Sequence, residues 1–230
     1  MRVLITGANR GIGLGLVRHC LKRKDRVFAA CRTPNRAAEL QTLCKDNPGQ
    51  LSLHTLDVRD SDQIEALHRD ISTQVDGLDV LINNAGIYYR GLSLGELTAE
   101  RSLETLHVNA VAPMIITQSL MDLLIASKNG KVVNLSTGMS SITSSPVGAY
   151  DYRASKAALN MYTRVLAQDM RPFGVIAIVI NPGWVKTDMG GQGATISAEE
   201  SARGIMKVVD ALRPQDSGKF FQWDGTEHVW

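Results

Sequence analysis

The stretch V-L-I-T-G-A-N-R-G-I-G, Val3 to Gly13, decides the fold. Its apolar start predicts a buried strand, and glycines follow at once at Gly7, Gly11 and Gly13, where a helix is expected to begin. A glycine-rich turn between strand and helix lets backbone amides and the positive helix end approach a pyrophosphate. The spacing is G-x-x-x-G-x-G rather than the dinucleotide fingerprint G-x-G-x-x-G, so this motif alone leaves open a tight turn without ligand.

The rest of the chain repeats the same alternation of short apolar runs and stretches of helical spacing. This pattern predicts an α/β fold, a doubly wound seven-stranded parallel sheet with helices on both faces, and one Rossmann-like domain over residues 1–230. The predicted strands are Arg2 to Thr6, Arg26 to Cys31, Leu51 to Leu56, Leu78 to Asn83, Lys131 to Ser136, Val175 to Asn181 and Lys219 to Trp223. The predicted helices begin near Gly11, Asn35, Ser61, Leu97, Tyr152 and Ser197.

Composition excludes several classes of protein. The 230 residues carry 25 basic and 23 acidic side chains, a net charge of +2, so nucleic acid is not the expected partner. Neither a signal-peptide pattern nor an apolar run of roughly 18 residues is present, which predicts a soluble chain without membrane contact. The 3 cysteines show no C-x-x-C spacing and the 5 histidines show no ligand spacing, so we expect no metal and a reducing, cytoplasmic location. These residues are Cys20, Cys31, Cys44, His19, His54, His68, His107 and His228.

Two arginines bear on the choice of dinucleotide. In NAD-binding sheets a carboxylate closes the second strand about 20 residues beyond the glycines and binds the ribose 2′-hydroxyl. Here that place reads A-A-C-R, so Arg32 follows the strand, and Arg10 lies inside the glycine turn. Two guanidinium groups near the adenosine ribose would bind a 2′-phosphate, so the sequence favours NADP(H) over NAD(H) unless both are merely solvated.

Four motifs, in the right order over essentially the whole chain, resemble the short-chain dehydrogenase/reductase family, of the single-domain type with Y-x-x-x-K. They are T-G-A-N-R-G-I-G, then N-N-A-G at Asn83 to Gly86, Y-R-A-S-K at Tyr152 to Lys156, and N-P-G at Asn181 to Gly183. The ending F-F-Q-W-D-G-T and the string Y-D-Y-R-A-S-K-A-A-L-N are similar, more narrowly, to the sniffer/C-factor-like carbonyl reductases. The expected strand order is 3-2-1-4-5-6-7.

Tyr152 and Lys156 are four residues apart, on one face of a predicted helix. Lowering the pKa of a phenol from about 10 to about 7 needs roughly 4 kcal/mol, which we expect from the ammonium group and the oxidised nicotinamide. Tyr152 is therefore the predicted general acid for carbonyl reduction, or base in reverse. Tyr150 has Ala154 at the equivalent spacing, so it lacks such a partner.

A second hydroxyl must polarise the substrate carbonyl. The family places a serine there, as the second residue of an S-S pair after the fifth strand, and this chain reads V-V-N-L-S-T. By that register the polarising hydroxyl belongs to Thr137. Ser136 is the second candidate, and Ser140 is a further alternative.

Asn109 lies in a predicted helix, four residues before Pro113. Proline has no amide to donate to the carbonyl of Asn109 and kinks the helix there. The resemblance implies that this asparagine holds a water linking the catalytic lysine to solvent.

The resemblance also implies the remaining contacts of the site. The expected cofactor-binding residues, Tyr152 and Lys156 included, are Gly7, Asn9, Arg10, Gly11, Ile12, Gly13, Arg32, Asp57, Val58, Asn83, Ala85, Gly86, Pro182, Gly183, Val185 and Thr187. The expected apolar lining for substrate is Ile87, Tyr88, Met139 and Trp184.

The predicted function is an NADPH-dependent oxidoreductase that transfers hydride to an aldehyde or ketone, a small-molecule carbonyl substrate. The alternative is an NADP-binding redox-sensing or signalling module with little turnover, and the Tyr152, Lys156 and Asn109 set favours the enzyme. A sugar-nucleotide epimerase or dehydratase is disfavoured, because that branch has a longer C-terminal substrate domain. The substrate's identity and a homo-oligomeric state are left open.

Overall fold

Seven parallel strands form one sheet in the computed structural model, which describes residues 1–90, 94–143, 147–191 and 193–230. The strand order, β3-β2-β1-β4-β5-β6-β7, confirms the predicted order. The strands are β1 (Arg2–Thr6), β2 (Arg26–Cys31), β3 (Leu51–Thr55), β4 (Val80–Asn83), β5 (Lys131–Leu135), β6 (Ile176–Asn181) and β7 (Phe220–Gln222). Some are shorter than predicted because residues at their ends pair outside the sheet; before β4, for example, the amide of Leu78 donates to the carbonyl of Leu123.

Eight α-helices are present in the described residues: α1 (Gly11–Lys22), α2 (Ala38–Asp46), α3 (Ser61–Ser72), α4 (Ala99–Leu106), α5 (Ala112–Ser119), α6 (Met121–Ala126), α7 (Tyr150–Asp169) and α8 (Ala198–Ala211). Helix α2 begins later than predicted because a short 3₁₀ turn, Pro34–Arg36, precedes it. Helix α7 begins two residues earlier than predicted, at Tyr150. Within the described residues, none of the helices combines the length and apolar character needed to cross a membrane.

Apolar side chains cover both faces of the sheet. On β1, Val3 and Ile5 pack into one core with α1 and α8, whereas Leu4 packs into the opposite core with α3, α5 and α6. Burying such a side chain contributes about 1.5 to 3 kcal/mol, so each strand stabilises two layers at once. Because both faces are covered, the strands read as nearly continuous apolar runs in the sequence.

The site lies where the winding of the sheet reverses. From β1 the chain builds outward through β2 and β3, then returns to add β4 on the other side of β1. Ligands of open α/β sheets bind in the crevice at this switch point. The segments after β1 and β4 are joined there, since Asn84 Nδ2 donates to the carbonyl oxygens of Thr6 at 2.8 Å and Gly7 at 3.1 Å.

Candidate active site

A cleft of about 460 Å³ lies at the carboxyl ends of the strands. It brings together most of the predicted site residues: Gly7, Asn9, Arg10, Gly11, Ile12, Arg32, Asp57, Val58, Ala85, Gly86, Ile87, Ser136, Tyr152, Lys156, Pro182 and Thr187. It is also lined by residues that the sequence analysis missed: Cys31, Leu56, Arg59, Asn84, Glu104, Val108, Leu135, Lys186, Asp188 and Met189. Most of the missed residues are direct neighbours of predicted ones, on the same loops.

The glycine turn fits a pyrophosphate. A Cβ on Gly11 would lie 3.0 Å from Cγ2 of Thr187, so only a residue without a side chain keeps this part of the cleft open. In the described structure the first turn of α1 has no acidic residue, and its N-cap residue Arg10 makes no side-chain capping bond. The amides at the start of α1 are therefore available to an anion in the cleft.

Gly13, a predicted cofactor contact, has a packing role in the structure. It is buried, and a Cβ there would lie 2.3 Å from the carbonyl oxygen of Gly7. No side chain fits at that distance, so Gly13 allows α1 to pack against the turn.

Three guanidinium groups line the cleft, two of them at the positions that the sequence predicts for binding the adenosine ribose phosphate. Arg32 is exposed there, and Arg10 forms an exposed ion pair with Asp188 at 3.0 Å. The third group, Arg59, was missed: its Nη2 donates to Asp57 at 2.8 Å and its Nη1 to Glu104 at 3.0 Å. Hydrogen bonding by Arg59 lowers the pKa of Asp57 to about 2, so Asp57 is ionised at neutral pH and can accept a hydrogen bond from an adenine amine.

Tyr152 stands at the other end of the cleft. Its ring packs against Tyr88 with the ring centroids 4.7 Å apart. Burial raises the pKa of Tyr152 to about 12, the Tyr88 phenol adds to this increase, and a hydrogen bond with the Thr137 hydroxyl opposes it. The protein's own groups therefore do not produce the predicted lowering toward about 7; they keep the phenol protonated at neutral pH.

Lys156 is 5% exposed and donates from Nζ to the carbonyl oxygen of Leu135 at 2.7 Å. Burial lowers its pKa to about 8. The ammonium is thus held at the floor of the cleft by β5 as well as by its place one turn after Tyr152 in α7.

The three candidate hydroxyls after β5 point in different directions. The Thr137 hydroxyl forms a hydrogen bond with Tyr152 and also accepts one from the amide of Met139 at 3.2 Å, and its role toward a substrate carbonyl stays a prediction. Ser136 is buried among the residues that line the cleft, and its Oγ donates to Ser140 Oγ at 3.2 Å. Ser140 in turn donates to the carbonyl oxygen of Thr137 at 2.6 Å, so it supports the backbone that carries Thr137.

Asn109 is fully buried in a π-helical turn, His107–Val111, where we predicted a simple kink. Its Oδ1 accepts from the amide of Ile87 at 2.8 Å, and its Nδ2 donates to the carbonyl of Ile87 at 2.9 Å and to Ser155 Oγ at 3.0 Å. Ser155, which the sequence analysis missed, donates to the carbonyl of Tyr152 at 2.8 Å. Asn109 thereby connects the loop after β4 to the catalytic turn of α7, and its predicted water-holding role stays a prediction.

Three predicted cofactor contacts, Asn83, Gly183 and Val185, are not among the described residues that line the cleft, and their roles stay predictions. Asn83 is 2% exposed and its Nδ2 donates to Asn134 Oδ1 at 2.8 Å, behind the cleft, while the neighbouring Asn84 lines it. Val185 is 3% exposed, and a Cβ on Gly183 would lie 2.6 Å from Ile196.

The apolar lining is only partly assembled. Ile87 lines the cleft, whereas Tyr88 packs on Tyr152 and is not among the described residues that line it. Trp184 is 57% exposed, and its Nε1 donates to the carbonyl of Gly190 at 2.9 Å. Met139 is partly buried in the loop after Thr137, and neither it nor Trp184 is among the described residues that line the cleft.

Comparisons with known proteins agree with this geometry. The family model for short chain dehydrogenases matches residues 1–195. The C-signal protein of Myxococcus xanthus is 41% identical over 154 residues, which are 66% of this chain and 93% of that protein. An NADPH-bound carbonyl reductase from chicken fatty liver is similar with a TM-score of 0.95 and 36% identity, over 100% of this chain and 98% of that one. The carbonyl reductase Sniffer of Drosophila melanogaster is similar with a TM-score of 0.95 and 33% identity, over 100% and 99% of the two chains.

Proposed function

Because the chain belongs to the short-chain dehydrogenase family, we propose that it reduces an aldehyde or ketone with NADPH. The observation that carries this proposal is the position of Tyr152 and Lys156 at one end of a cleft whose other end holds Arg10 and Arg32. The similarity to an NADPH-bound carbonyl reductase over the full chain supports the same cofactor and reaction.

The cleft offers groups for each part of the cofactor. The start of α1 would bind the pyrophosphate, Arg10 and Arg32 the 2′-phosphate, and Asp57 the adenine amine. Thr187 and Pro182 line the region where the nicotinamide would lie. When bound, NADPH supplies the hydride that the carbonyl carbon accepts.

The protein's part in the reaction is to polarise the carbonyl and to provide a proton. Thr137 donates a hydrogen bond to the carbonyl oxygen, and Tyr152 Oη gives its proton to the same oxygen as negative charge develops there. Since burial keeps the Tyr152 phenol protonated at neutral pH, the resting protein is ready for reduction. Lys156 places a positive charge beneath the phenolate that forms, and Asn109 and Ser155 hold this turn of α7 in place.

A panel of carbonyl compounds tests the proposal: 4-nitrobenzaldehyde, an aromatic ketone, a quinone and a medium-chain aldehyde, each incubated with protein and NADPH. We expect loss of NADPH absorbance with at least one of them, and formation of the matching alcohol or hydroquinone. If NADPH binds but no compound is reduced, the proposed activity is wrong.

That negative outcome would favour the second candidate, an NADP-binding signalling module. The specific observation behind it is the 41% identity to C-signal. The two candidates share the cofactor, so binding alone does not distinguish them, and turnover does.

Three further features of the protein are inferred from its architecture. Residues 1–230 form one domain, because both apolar cores flank the same sheet. A reducing, cytoplasmic location is supported by Cys20, Cys31 and Cys44, all described and all free thiols. A homo-oligomer is supported by exposed apolar side chains on α4, α5 and α7, namely Leu103, Ile115, Met161 and Val165, and light scattering would measure it.

A further inference from the structure

The segment after β7, residues 226–230, turns back along the edge of the sheet. The amide of Gln222 donates to the carbonyl of Thr226, and the amide of His228 donates to the carbonyl of Phe220, both at 2.7 Å. We call these five residues the return segment. It pairs antiparallel with β7 and covers a strand that would otherwise end the sheet.

Two residues of the return segment contact the loop that follows Thr137. The ring of His228 stacks on Phe220, with centroids 4.5 Å apart, and its Nε2 lies 3.1 Å from the position that a Cβ on Gly138 would occupy. The carbonyl oxygen of Trp230 accepts from Ser141 Oγ at 2.8 Å. The return segment thus touches the loop at its first residue and again three residues later.

The Trp230 side chain joins the same contact to the catalytic helix. Its ring packs on Phe220 of β7, with centroids 5.4 Å apart. The guanidinium carbon of Arg164, in α7, lies over the Trp230 ring at 5.0 Å from its centroid. A cation over an aromatic face is attracted to it, so Trp230 contacts both β7 and α7.

The inner side of the loop is held by α7. Asn160 Nδ2 donates to Ser140 Oγ at 2.9 Å, and Arg153 Nη1 donates to the carbonyl of Met139 at 3.1 Å. The loop over residues 138–143 therefore lies between two supports, α7 on one side and the return segment on the other. Thr137 is the residue from which this loop starts.

We propose that the return segment, through His228 and Trp230, positions the Thr137 hydroxyl against the substrate carbonyl. The inference rests on the proposed function, since it concerns the hydroxyl that polarises the carbonyl. His228 and Trp230 are positioning residues: they act through the Gly138–Ser141 backbone and are not among the described residues that line the cleft.

The first experiment measures the loop itself and does not depend on activity. Amide hydrogen exchange is compared between the wild-type protein, Trp230→Ala and Val229→Ala. Val229 is 67% exposed on the same segment and serves as the matched control. We expect faster exchange in peptides covering 137–143 for Trp230→Ala only, with the glycine turn unchanged. Unchanged exchange in that loop overturns the proposal, whatever the activity.

The second experiment is a double-mutant cycle between Trp230→Ala and Thr137→Val, with NADPH and 4-nitrobenzaldehyde as the probe. Misplacing a catalytic group by about 1 Å can cost on the order of 10²-fold, so we expect Trp230→Ala to lower kcat by about 10-fold to 100-fold, with KM for NADPH unchanged. In the Thr137→Val background the same change should have almost no further effect, and Trp230→Phe should restore most of kcat. Effects that multiply independently would overturn the proposal, because the segment would then act elsewhere.

The two experiments separate this proposal from the one on which it rests. If Thr137→Val leaves kcat unchanged, or if no compound of the carbonyl panel is reduced, the proposed role of Thr137 fails, and hydrogen exchange still decides whether the return segment holds the loop. If Trp230→Ala does not fold, Ser141→Ala is used instead. It removes the other contact of the return segment with the loop, the hydrogen bond from Ser141 Oγ to the main-chain oxygen of Trp230, and leaves the Trp230 ring in place. Its hydrogen exchange in 137–143 and its double-mutant cycle with Thr137→Val then decide the question.

Discussion

Tyr152 and Tyr150 are two residues apart in α7 but lie in different surroundings. Tyr150 is 42% exposed, whereas Tyr152 lines the cleft, packs on Tyr88 and shares a hydrogen bond with Thr137. The burial that raises the pKa of Tyr152 also destabilises its phenolate form unless a positive charge lies nearby. The proton is therefore retained until the carbonyl oxygen develops negative charge, which suits a general acid.

Replacing Tyr152 with phenylalanine should remove only the proton donor. We expect Tyr152→Phe to keep its fold and its NADPH affinity but to lose on the order of 10² to 10⁴ in kcat. Steady-state kinetics and NADPH fluorescence titration measure the two quantities. Tyr150→Phe is the matched control and should change little; loss of activity in the control with retention in Tyr152→Phe would show that the site is misplaced.

Replacing Thr137 with valine should keep the shape of the side chain and remove one hydrogen bond to the developing oxyanion. Such a donor contributes roughly 3 to 4 kcal/mol, so we expect kcat to fall on the order of 10² to 10³ for Thr137→Val. Thr137→Ser should remain active. Ser136→Ala should be mild, because Ser136 Oγ faces Ser140. A larger loss of kcat in Ser136→Ala than in Thr137→Val would reverse the assignment.

At the scale of elements, the site depends on loops that leave neighbouring strands on the same edge of the sheet. The turn after β1 supplies Arg10, and the end of β2 supplies Arg32. The loop after β6 supplies Asp188, whose carboxylate already pairs with Arg10. Arg32 is therefore the guanidinium on which a 2′-phosphate depends most, since Arg10 has a competing partner.

The choice of cofactor should follow Arg32. Two charge-assisted contacts of about 1.5 to 3 kcal/mol each predict that kcat/KM for NADPH exceeds that for NADH by well over tenfold. Arg32→Asp should narrow or reverse this preference, chiefly by raising KM for NADPH. Arg36→Asp reverses an exposed charge in the next turn and controls for net charge. Equal kcat/KM for both cofactors in the wild-type protein would contradict the assignment.

At the scale of the whole molecule, placing the site inside a compact fold affects stability. Lys156 is 5% exposed and its pKa is lowered from 10.5 to about 8 by burial. The folded state therefore carries an unfavourable ammonium at neutral pH, which the unfolded chain solvates freely. This cost is fully present below pH 8 and is relieved as the pH rises toward 10.5, because the unfolded chain then binds more protons than the folded protein.

Stability as a function of pH should reveal that cost. We expect the free energy of unfolding of Lys156→Met, minus that of the wild type, to shrink by about 1.4 kcal/mol per pH unit between about pH 8 and 10.5. Urea unfolding at several pH values measures it, with Lys207→Met as the exposed control. Taking the difference between variants matters because burial raises the pKa of Cys20 to about 12, which gives the wild type an opposite trend above pH 9. A difference that stays constant over this range would contradict the expected burial cost.

The sheet and the choice of Tyr152 rather than Tyr150 as candidate acid could be predicted from the sequence; the fold family added the strand order, which the structure confirms. These properties depend on local spacing: apolar runs define buried strands, and a residue four positions along a helix lies on the same face as the first. The arginine at the end of β2 was likewise visible without a structure. The sequence did not show whether Asn83 or Asn84 lines the cleft, because a shift of one residue at a strand end reverses the direction of a side chain.

Only the tertiary structure decided the surroundings of each group. Arg59, Ser155 and the return segment contribute through contacts between residues far apart in the chain, which no local pattern specifies. The pKa of Tyr152 differs from the value expected from its spacing to Lys156 because desolvation depends on how many other elements cover the phenol. The loop after Thr137 also depends on contacts between distant parts of the chain. Helix α7 and the return segment hold this loop, and these two elements meet only when the sheet is complete.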